Sequence, residues 1–165
     1  LRPDLLCVAK SMAGGFPMGA VLMGERVGVL PASVHGSTFG GKPLAAAVGL
    51  EALHVIRDEG LVERSRVLGN YMLGRLRAIK SPALKAVRGL GLWVGAEIDP
   101  QFASARMACE RLLAKGVLSK ETHDTVVRRA PPLVIARDDL DFALDRFEEV
   151  VRDLSVSPRP HPVAA

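Results

Sequence analysis

The sequence predicts an α/β protein in which the end of a large α/β domain is followed by a small α+β C-terminal domain. Two short apolar runs, at 5–9 before Lys10 and at 19–24 between two glycines, are typical of buried strands. Apolar residues recur at helical spacing between 44 and 79, which predicts long amphipathic helices. After Ser81-Pro82 short strand and helix patterns alternate, and this change indicates a second layer.

The first predicted domain covers residues 1–80. Its first strand ends at Lys10 and is followed by a Gly-Gly turn. Residues 31–43 are polar and rich in glycine, which predicts a loop, and Pro43 suits the first turn of the helix that follows. Gly60 interrupts the helical spacing, so we expect two successive or kinked helices.

The second predicted domain covers residues 81–154. The glycine-punctuated, β-rich segment 84–98 predicts paired strands around a turn or bulge. A helix is expected at 103–115, and another begins near Asp138 as its N-cap. Three short apolar runs are further strand candidates, at 117–118, 126–127 and 133–135. The proline-rich tail 155–165 is expected to be disordered.

Composition excludes several classes of protein. With 48% apolar and 24% charged residues, the 165-residue chain resembles ordinary folded proteins. Its 22 basic and 18 acidic residues are scattered, with no run of like charge that could follow a phosphate backbone. Only one Trp and one Tyr are available for base stacking. We therefore expect no nucleic-acid partner, and the small positive net charge suits small anionic ligands.

The expected setting is a reducing cytoplasm. Cys7 and Cys109 form neither a disulfide framework nor the spacing of a metal site, so no metal is predicted. No apolar run approaches the roughly 18 to 20 residues of a membrane span, and no signal-peptide pattern opens the chain. Because the sequence opens almost directly on an apolar strand without an initiator Met, we expect it to be part of a longer polypeptide.

Lys10 is the first candidate for chemistry. A lysine between a buried strand and a Gly-Gly turn can be partly desolvated, which lowers its pKa and lets the neutral amine form a Schiff base. The alternative is a lysine that ends a strand and points to water. Placement alone favours that alternative, so the decision depends on the surrounding motif.

The segment Pro3-Asp-Leu-Leu-Cys-Val-Ala-Lys10-Ser-Met-Ala-Gly-Gly-Phe-Pro17 resembles the lysine segment of the class III aminotransferases, which include ornithine, acetylornithine and 4-aminobutyrate aminotransferases. The resemblance implies the C-terminal part of a fold-type I transferase that depends on pyridoxal 5'-phosphate. It also implies that Lys10 binds the cofactor covalently and moves a proton between substrate and cofactor.

The segment His35-Gly-Ser-Thr-Phe-Gly-Gly-Lys-Pro43 is similar to a second motif of this family. By that likeness Ser37 and Thr38 bind the cofactor phosphate of a neighbouring subunit, which implies a homodimer in the intact enzyme. Lys42 stands where the family usually has asparagine. An ordinary glycine-rich turn is the alternative for this loop by itself.

The segment Val126-Val-Arg128-Arg-Ala-Pro-Pro-Leu resembles a third motif, in which the arginine binds the substrate α-carboxylate. Arg128 matches that arginine, whereas Arg129 stands at a place that is normally apolar. A salt bridge at the end of a strand, made by either arginine, is the alternative.

The segment Gly116-Val-Leu-Ser-Lys-Glu-Thr-His123 is similar to a run found in the ornithine aminotransferases of this family. It serves as a marker of the family and not as a site, because a lone turn histidine is the commoner case. The sequence hypothesis is accordingly ornithine δ-aminotransferase, with amino acids and 2-oxo acids as substrates. Acetylornithine or 4-aminobutyrate aminotransferase is the alternative within the class.

Other residues that the family uses have no match in this chain. They are an aspartate on the pyridine nitrogen, an aromatic ring stacked on the cofactor, and a further phosphate loop; Asp4 lies too close to Lys10 to be that aspartate. Two explanations stay open. The chain is a fragment or split-gene half that needs a companion N-terminal half for activity, or it is a non-catalytic remnant that acts as an interaction module.

Overall fold

The computed structural model describes residues 2–156, which fall into two compact units divided between Leu61 and Val62. The first unit contains a strand, a 3-10 turn, a second strand and one helix. Their bounds are β1 (Leu5–Val8), the turn Lys10–Ala13, β2 (Ala20–Met23) and α1 (Pro43–Asp58). The predicted loop therefore ends at residue 42, and Pro43 occupies the first turn of α1 as expected.

Strands β1 and β2 form a two-stranded antiparallel sheet, with Leu5 opposite Met23 and Val8 opposite Ala20. Both strands were predicted, but the prediction that they are buried is wrong. Leu5 is 53% exposed and Leu22 is 55% exposed. A sheet of two strands has too few neighbours to cover both of its faces, so apolar side chains stay at the surface.

Helix α1 packs against the turn that follows Lys10. Ala13, Ala45 and Gly49 are buried at this contact. A Cβ atom on Gly49 would lie 2.8 Å from Met18 Sδ, so a larger residue here would require the flexible Met18 side chain to move. Beyond the helix, Gly60 has φ +62° and separates α1 from the next helix, as its position in the sequence predicted.

The second unit contains three helices and a four-stranded sheet. Their bounds are α2 (Leu61–Ala78), β3 (Leu84–Leu90), β4 (Trp93–Ile98), α3 (Ala105–Ala114), β5 (Lys120–Thr122), β6 (Val126–Arg129) and α4 (Arg137–Val156). The strand order is β3-β4-β6-β5 and every pair is antiparallel. Strands β3 and β4 form the predicted pair, joined at Gly91-Leu92 and with an irregular register near Leu84.

One face of this sheet and the three helices enclose the main core. Met72, Leu76, Ile98, Leu112 and Phe147 are fully buried there. Burial of each such side chain contributes roughly 1.5–3 kcal/mol. Because α2 supplies part of this core, the contacts divide the chain one helix earlier than the boundary predicted at Ser81-Pro82.

Two predicted strands are wrong. Residues 117–118 are not a strand, because the Val117 amide donates to Leu112 O at the end of α3. Residues 133–135 form a turn, closed by a hydrogen bond from Ile135 N to Pro132 O. The strand that the sequence pattern missed is β5, whose residues Lys120–Thr122 are mostly polar.

The C-terminal helix also differs at both ends from the prediction. It begins at Arg137, so Asp138 lies inside its first turn, where a carboxylate interacts favourably with the helix dipole. It continues through Val156, so the first two residues of the predicted disordered tail are helical. The rest of that tail, 157–165, lies outside the described residues. No helix between residues 2 and 156 is both long and apolar enough to cross a membrane.

Candidate active site

Lys10 lies two residues after the end of β1 and is exposed, so the expected partial desolvation is not seen in this chain. The turn itself is well defined: Gly14 N donates to Ser11 O at 3.1 Å, and Ala13 is 1% exposed beneath α1.

The backbone of Lys10 has φ +57°, in the left-handed region. This conformation costs roughly 1–2 kcal/mol for a residue with a Cβ atom. Such outliers concentrate at functional sites, where the surrounding structure maintains them. The backbone conformation therefore adds to the motif as a reason to assign a function to Lys10, although Ser33, His123 and Asp124 share it.

Ser37 and Thr38 lie in the exposed loop before α1. Gly40 N donates to Ser37 O at 3.1 Å and closes a turn, and Gly41 has φ +66°. Ser37 lines a cleft of about 360 Å³ that reaches the first residues of α1. Hydroxyl groups and backbone amides near the N-terminus of a helix are donors that suit a phosphate.

Lys42, which replaces the family's asparagine, adds a positive charge beside this loop. Its Nζ lies 4.1 Å from the centroid of the Phe39 ring, a distance typical of a cation–π interaction. Lys42 and the Ser37 and Thr38 hydroxyls therefore give this loop donors that suit a phosphate group.

Arg128 lies on β6 in the second unit, opposite Gly95 of β4 and Lys120 of β5, and is exposed. Successive residues of a strand face opposite sides, so its neighbour Arg129 faces the helices and is buried. Within residues 2–156, neither arginine has a carboxylate within 4.0 Å, so the structure gives no support to the salt-bridge alternative.

The sequence did not predict the environment of Arg129. One signal of its burial was present, because Arg129 stands at a position that is normally apolar in the family. Its Nη2 donates to Ala143 O at 2.9 Å, and its guanidinium lies 4.7 Å from the centroid of the Phe147 ring. Burial lowers the pKa of Arg129 to about 10.

The marker segment places Lys120, Glu121 and Thr122 on β5, followed by a turn in which His123 and Asp124 both have positive φ. Thr122 Oγ1 lies 3.2 Å from His123 Nδ1, and His123 is exposed. In the part of the chain that is described, no three His, Cys, Asp or Glu residues are grouped to hold a metal ion.

The predicted residues thus divide between the two units. Lys10, Ser37 and Thr38 lie in the first unit, and Arg128 lies in the second. Each unit offers one part of the expected chemistry: an amine and phosphate donors in the first, and a guanidinium for a carboxylate in the second.

Comparison with known proteins identifies related sequences. The family model of the class-III aminotransferases matches residues 1–151. The ornithine aminotransferase of Bacillus subtilis is 46% identical over 153 residues, which are 92% of this chain and 37% of that protein. The ornithine aminotransferase of a Geobacillus species is 49% identical over 150 residues, which are 90% of this chain and 37% of that protein. The chain therefore spans less than half the length of these curated relatives.

Solved structures give a consistent result. Ornithine δ-aminotransferase from Plasmodium falciparum aligns with a TM-score of 0.88 at 33% identity, over 94% of this chain and 42% of that chain. Acetylornithine aminotransferase from Elizabethkingia anophelis aligns with a TM-score of 0.84 at 37% identity, over 93% of this chain and 42% of that chain. These matches confirm the fold class that was predicted from the sequence.

Proposed function

The chain belongs to the class-III aminotransferases, and from that membership we propose that it forms part of an ornithine δ-aminotransferase. The reaction transfers the δ-amino group of L-ornithine to 2-oxoglutarate and yields glutamate 5-semialdehyde and glutamate. The observation that carries the proposal is the exposed amine of Lys10 on a left-handed backbone, within a motif of this family. The names of the relatives that are 45–49% identical support ornithine as the amino donor.

Pyridoxal 5'-phosphate is the proposed cofactor, and when bound it supplies an electron sink for the carbon that carries the amino group. Lys10 binds the cofactor through its amine and then moves a proton at the δ-carbon of ornithine. Ser37 and Thr38 donate hydrogen bonds to the phosphate. Because the family uses these two residues across a subunit boundary, we propose a homodimer for the intact enzyme.

Arg128 is the proposed ligand of the substrate carboxylate. Its guanidinium is exposed and has no carboxylate partner among residues 2–156, so its paired N–H groups are available to a ligand. A planar guanidinium binds a carboxylate through two parallel hydrogen bonds, which fixes the direction of the substrate.

We further propose that activity requires a companion N-terminal half. The support is that this chain matches 37% of the Bacillus subtilis relative, so most of that protein's length lies outside the match. The exposed apolar side chains of Leu5 and Leu22 on the two-stranded sheet are a surface that such a companion would cover. An upstream reading frame that encodes the missing motifs would support this arrangement.

The test combines this chain with the part of the Bacillus subtilis protein that it does not match. Pyridoxal phosphate is added, and both visible absorbance of bound cofactor and ornithine turnover are measured. Lys10→Ala is expected to remove both signals, and Arg128→Met to raise KM for ornithine about tenfold or more. Lys80→Ala, an exposed lysine in the other unit, is the control that should change neither. If the combined protein has neither absorbance nor activity, the enzyme proposal is wrong.

The same combined protein and assays distinguish two alternative functions. Acetylornithine or 4-aminobutyrate aminotransferase activity, supported by the structural match to an acetylornithine enzyme, predicts that acetylornithine or 4-aminobutyrate outcompetes ornithine in turnover assays. A non-catalytic interaction module predicts that the chain pairs with a partner through the exposed faces of the helices at 44–79 and binds no cofactor in titration. The proposed location is the cytoplasm, which fractionation of the source cells tests.

A further inference from the structure

Two polar side-chain atoms in the second unit are buried and unpaired: Arg129 Nη1 and Ser119 Oγ. No described protein atom meets the distance and angle of a hydrogen bond with either of them. Both residues line the same cleft of about 320 Å³, which lies beside β6 and α4. Buried polar groups are nearly always paired, so two unpaired donors that line one cleft require an explanation.

The charge of Arg129 is also uncompensated within residues 2–156. Its two contacts, Ala143 O and the Phe147 ring, are neutral, and no carboxylate lies within 4.0 Å. The nearby thiol of Cys109 does not supply a negative charge, because burial raises its pKa by more than the neighbouring Ser119 hydroxyl lowers it. Cys109 is thus the protein group near Ser119 Oγ, although the two do not meet the geometry of a hydrogen bond. A buried cation is unfavourable unless an anion pairs with it.

The remaining walls of the cleft indicate the kind of anion. Asp139 and Arg128 also line it, and both of these side chains are exposed. The other walls are mainly apolar, formed by Met72, Val117, Ile135, Leu140, Phe142 and Ala143. An apolar cleft with a few convergent polar groups is the usual character of a small-molecule site.

We propose that Arg129 and Ser119 bind the carboxylate of a small carboxylic acid whose apolar body lies in this cleft. The guanidinium donates from Nη1 and the hydroxyl from Oγ, so both unpaired donors gain an acceptor. Arg128, the proposed ligand of the substrate carboxylate, lines the same cleft, but the donors of this site are Arg129 and Ser119.

The probe is sodium butyrate, titrated calorimetrically into the full chain at constant ionic strength. We expect saturable binding that Arg129→Met weakens about tenfold or more, because a charge-assisted hydrogen bond is lost while side-chain volume is kept. Ser119→Ala should weaken binding by a smaller factor and serves as the second variant if Arg129→Met does not fold. Arg152→Met changes the net charge equally on the exposed face of α4 and should bind butyrate as the unmodified chain does.

Comparison ligands test the two parts of the proposed site one at a time: the donors for the carboxylate and the apolar walls of the cleft. Butanol tests the apolar body without the charge, and acetate and inorganic phosphate test the charge without the apolar body; all three are expected to bind more weakly than butyrate. Equal butyrate affinity in Arg129→Met or in Ser119→Ala would overturn the assignment, and so would equal affinity for butanol, acetate or phosphate.

Discussion

Lys10 has a backbone conformation that is unfavourable for a residue with a Cβ atom. This conformation predicts how the stabilities of its variants should differ. Glycine adopts φ +57° without steric cost, whereas alanine does not. We therefore expect Lys10→Gly to have a free energy of unfolding about 1 kcal/mol higher than Lys10→Ala. Urea unfolding followed by circular dichroism measures the difference.

Lys80 provides the matched comparison, because it is exposed and its backbone is not in the left-handed region. There the order should reverse, with the glycine variant less stable than the alanine variant, since glycine loses more backbone entropy on folding. The same order at both positions would show that the backbone of Lys10 is not strained. That result would leave the sequence motif as the one remaining support for a functional role of Lys10.

The sequence was informative about single residues where a motif surrounds them. Lys10, Ser37, Thr38 and Arg128 were selected from three separate motifs, and the structure adds the left-handed backbone at Lys10 and the exposed position of Arg128 on β6. The burial of Arg129 was not predicted. It depends on which face of β6 the helices cover, and that is a property of tertiary packing.

Helix α2 approaches the turn between β3 and β4 so closely that its glycine cannot be replaced. A Cβ atom on Gly69 would overlap the backbone carbonyl group of Gly91. Gly69→Ala should therefore lower the free energy of unfolding by about 2 kcal/mol or more, because backbone cannot move aside as a side chain can. Chemical denaturation followed by the fluorescence of Trp93, which lies in the same unit, measures the loss.

Gly74 lies on the same helix, and a Cβ atom there would have no neighbour within 4 Å. Gly74→Ala should raise the free energy of unfolding by about 0.5–1 kcal/mol, because alanine is the better helix former. Similar changes at both glycines would mean that helix propensity, and not the approach of α2 to the β3–β4 turn, determines the result.

An ion cluster joins α2 to α4 and should make this contact depend on pH. Asp141 accepts hydrogen bonds from the Tyr71 hydroxyl and from Arg137 Nε at 3.0 Å. The Tyr71 hydrogen bond first, and then Arg137, lower the pKa of Asp141 below its ordinary value of 3.8. Because the pKa is lower in the folded state, the contribution to stability is present above about pH 4 and is lost as the pH falls through the folded value.

Asp141→Asn should therefore reduce stability at pH 7, and the gap to the unmodified chain should narrow as the pH falls below about 4. Thermal unfolding between pH 2.5 and 7 measures this gap. Asp153→Asn, which removes a carboxylate at an exposed position on the same helix, is the control variant. A gap for Asp141→Asn that is constant across the whole range would contradict the assignment.

The elements that the sequence predicted best are those whose own side chains determine them. The spacing of apolar residues predicted α1 and α2 with a break at Gly60, and glycine-rich β-type residues predicted the β3–β4 pair. Short apolar runs were less informative. Residues 133–135 are a turn and not a strand, because a run of three residues does not specify what its backbone hydrogen-bonds to.

The two units differ in how completely each covers its apolar residues. The second has a closed core between its sheet and its helices, whereas the strands of the first expose leucines such as Leu5 and Leu22. The sequence predicted buried strands at this place because an apolar run indicates burial. Such a run does not indicate which part of the protein covers it. The companion half is our proposal for what covers these strands, and it needs a direct test.

Amide hydrogen exchange provides that test across the described residues. In the chain alone, the amides of β1 and β2 should exchange faster than those of β4 and β6, because a two-stranded sheet with exposed side chains is marginally stable. Adding the unmatched part of the Bacillus subtilis relative should slow exchange in β1 and β2 and leave β4 nearly unchanged. Slower exchange in β4 and β6, with β1 and β2 unaffected, would locate the companion on the second unit and contradict the proposed arrangement.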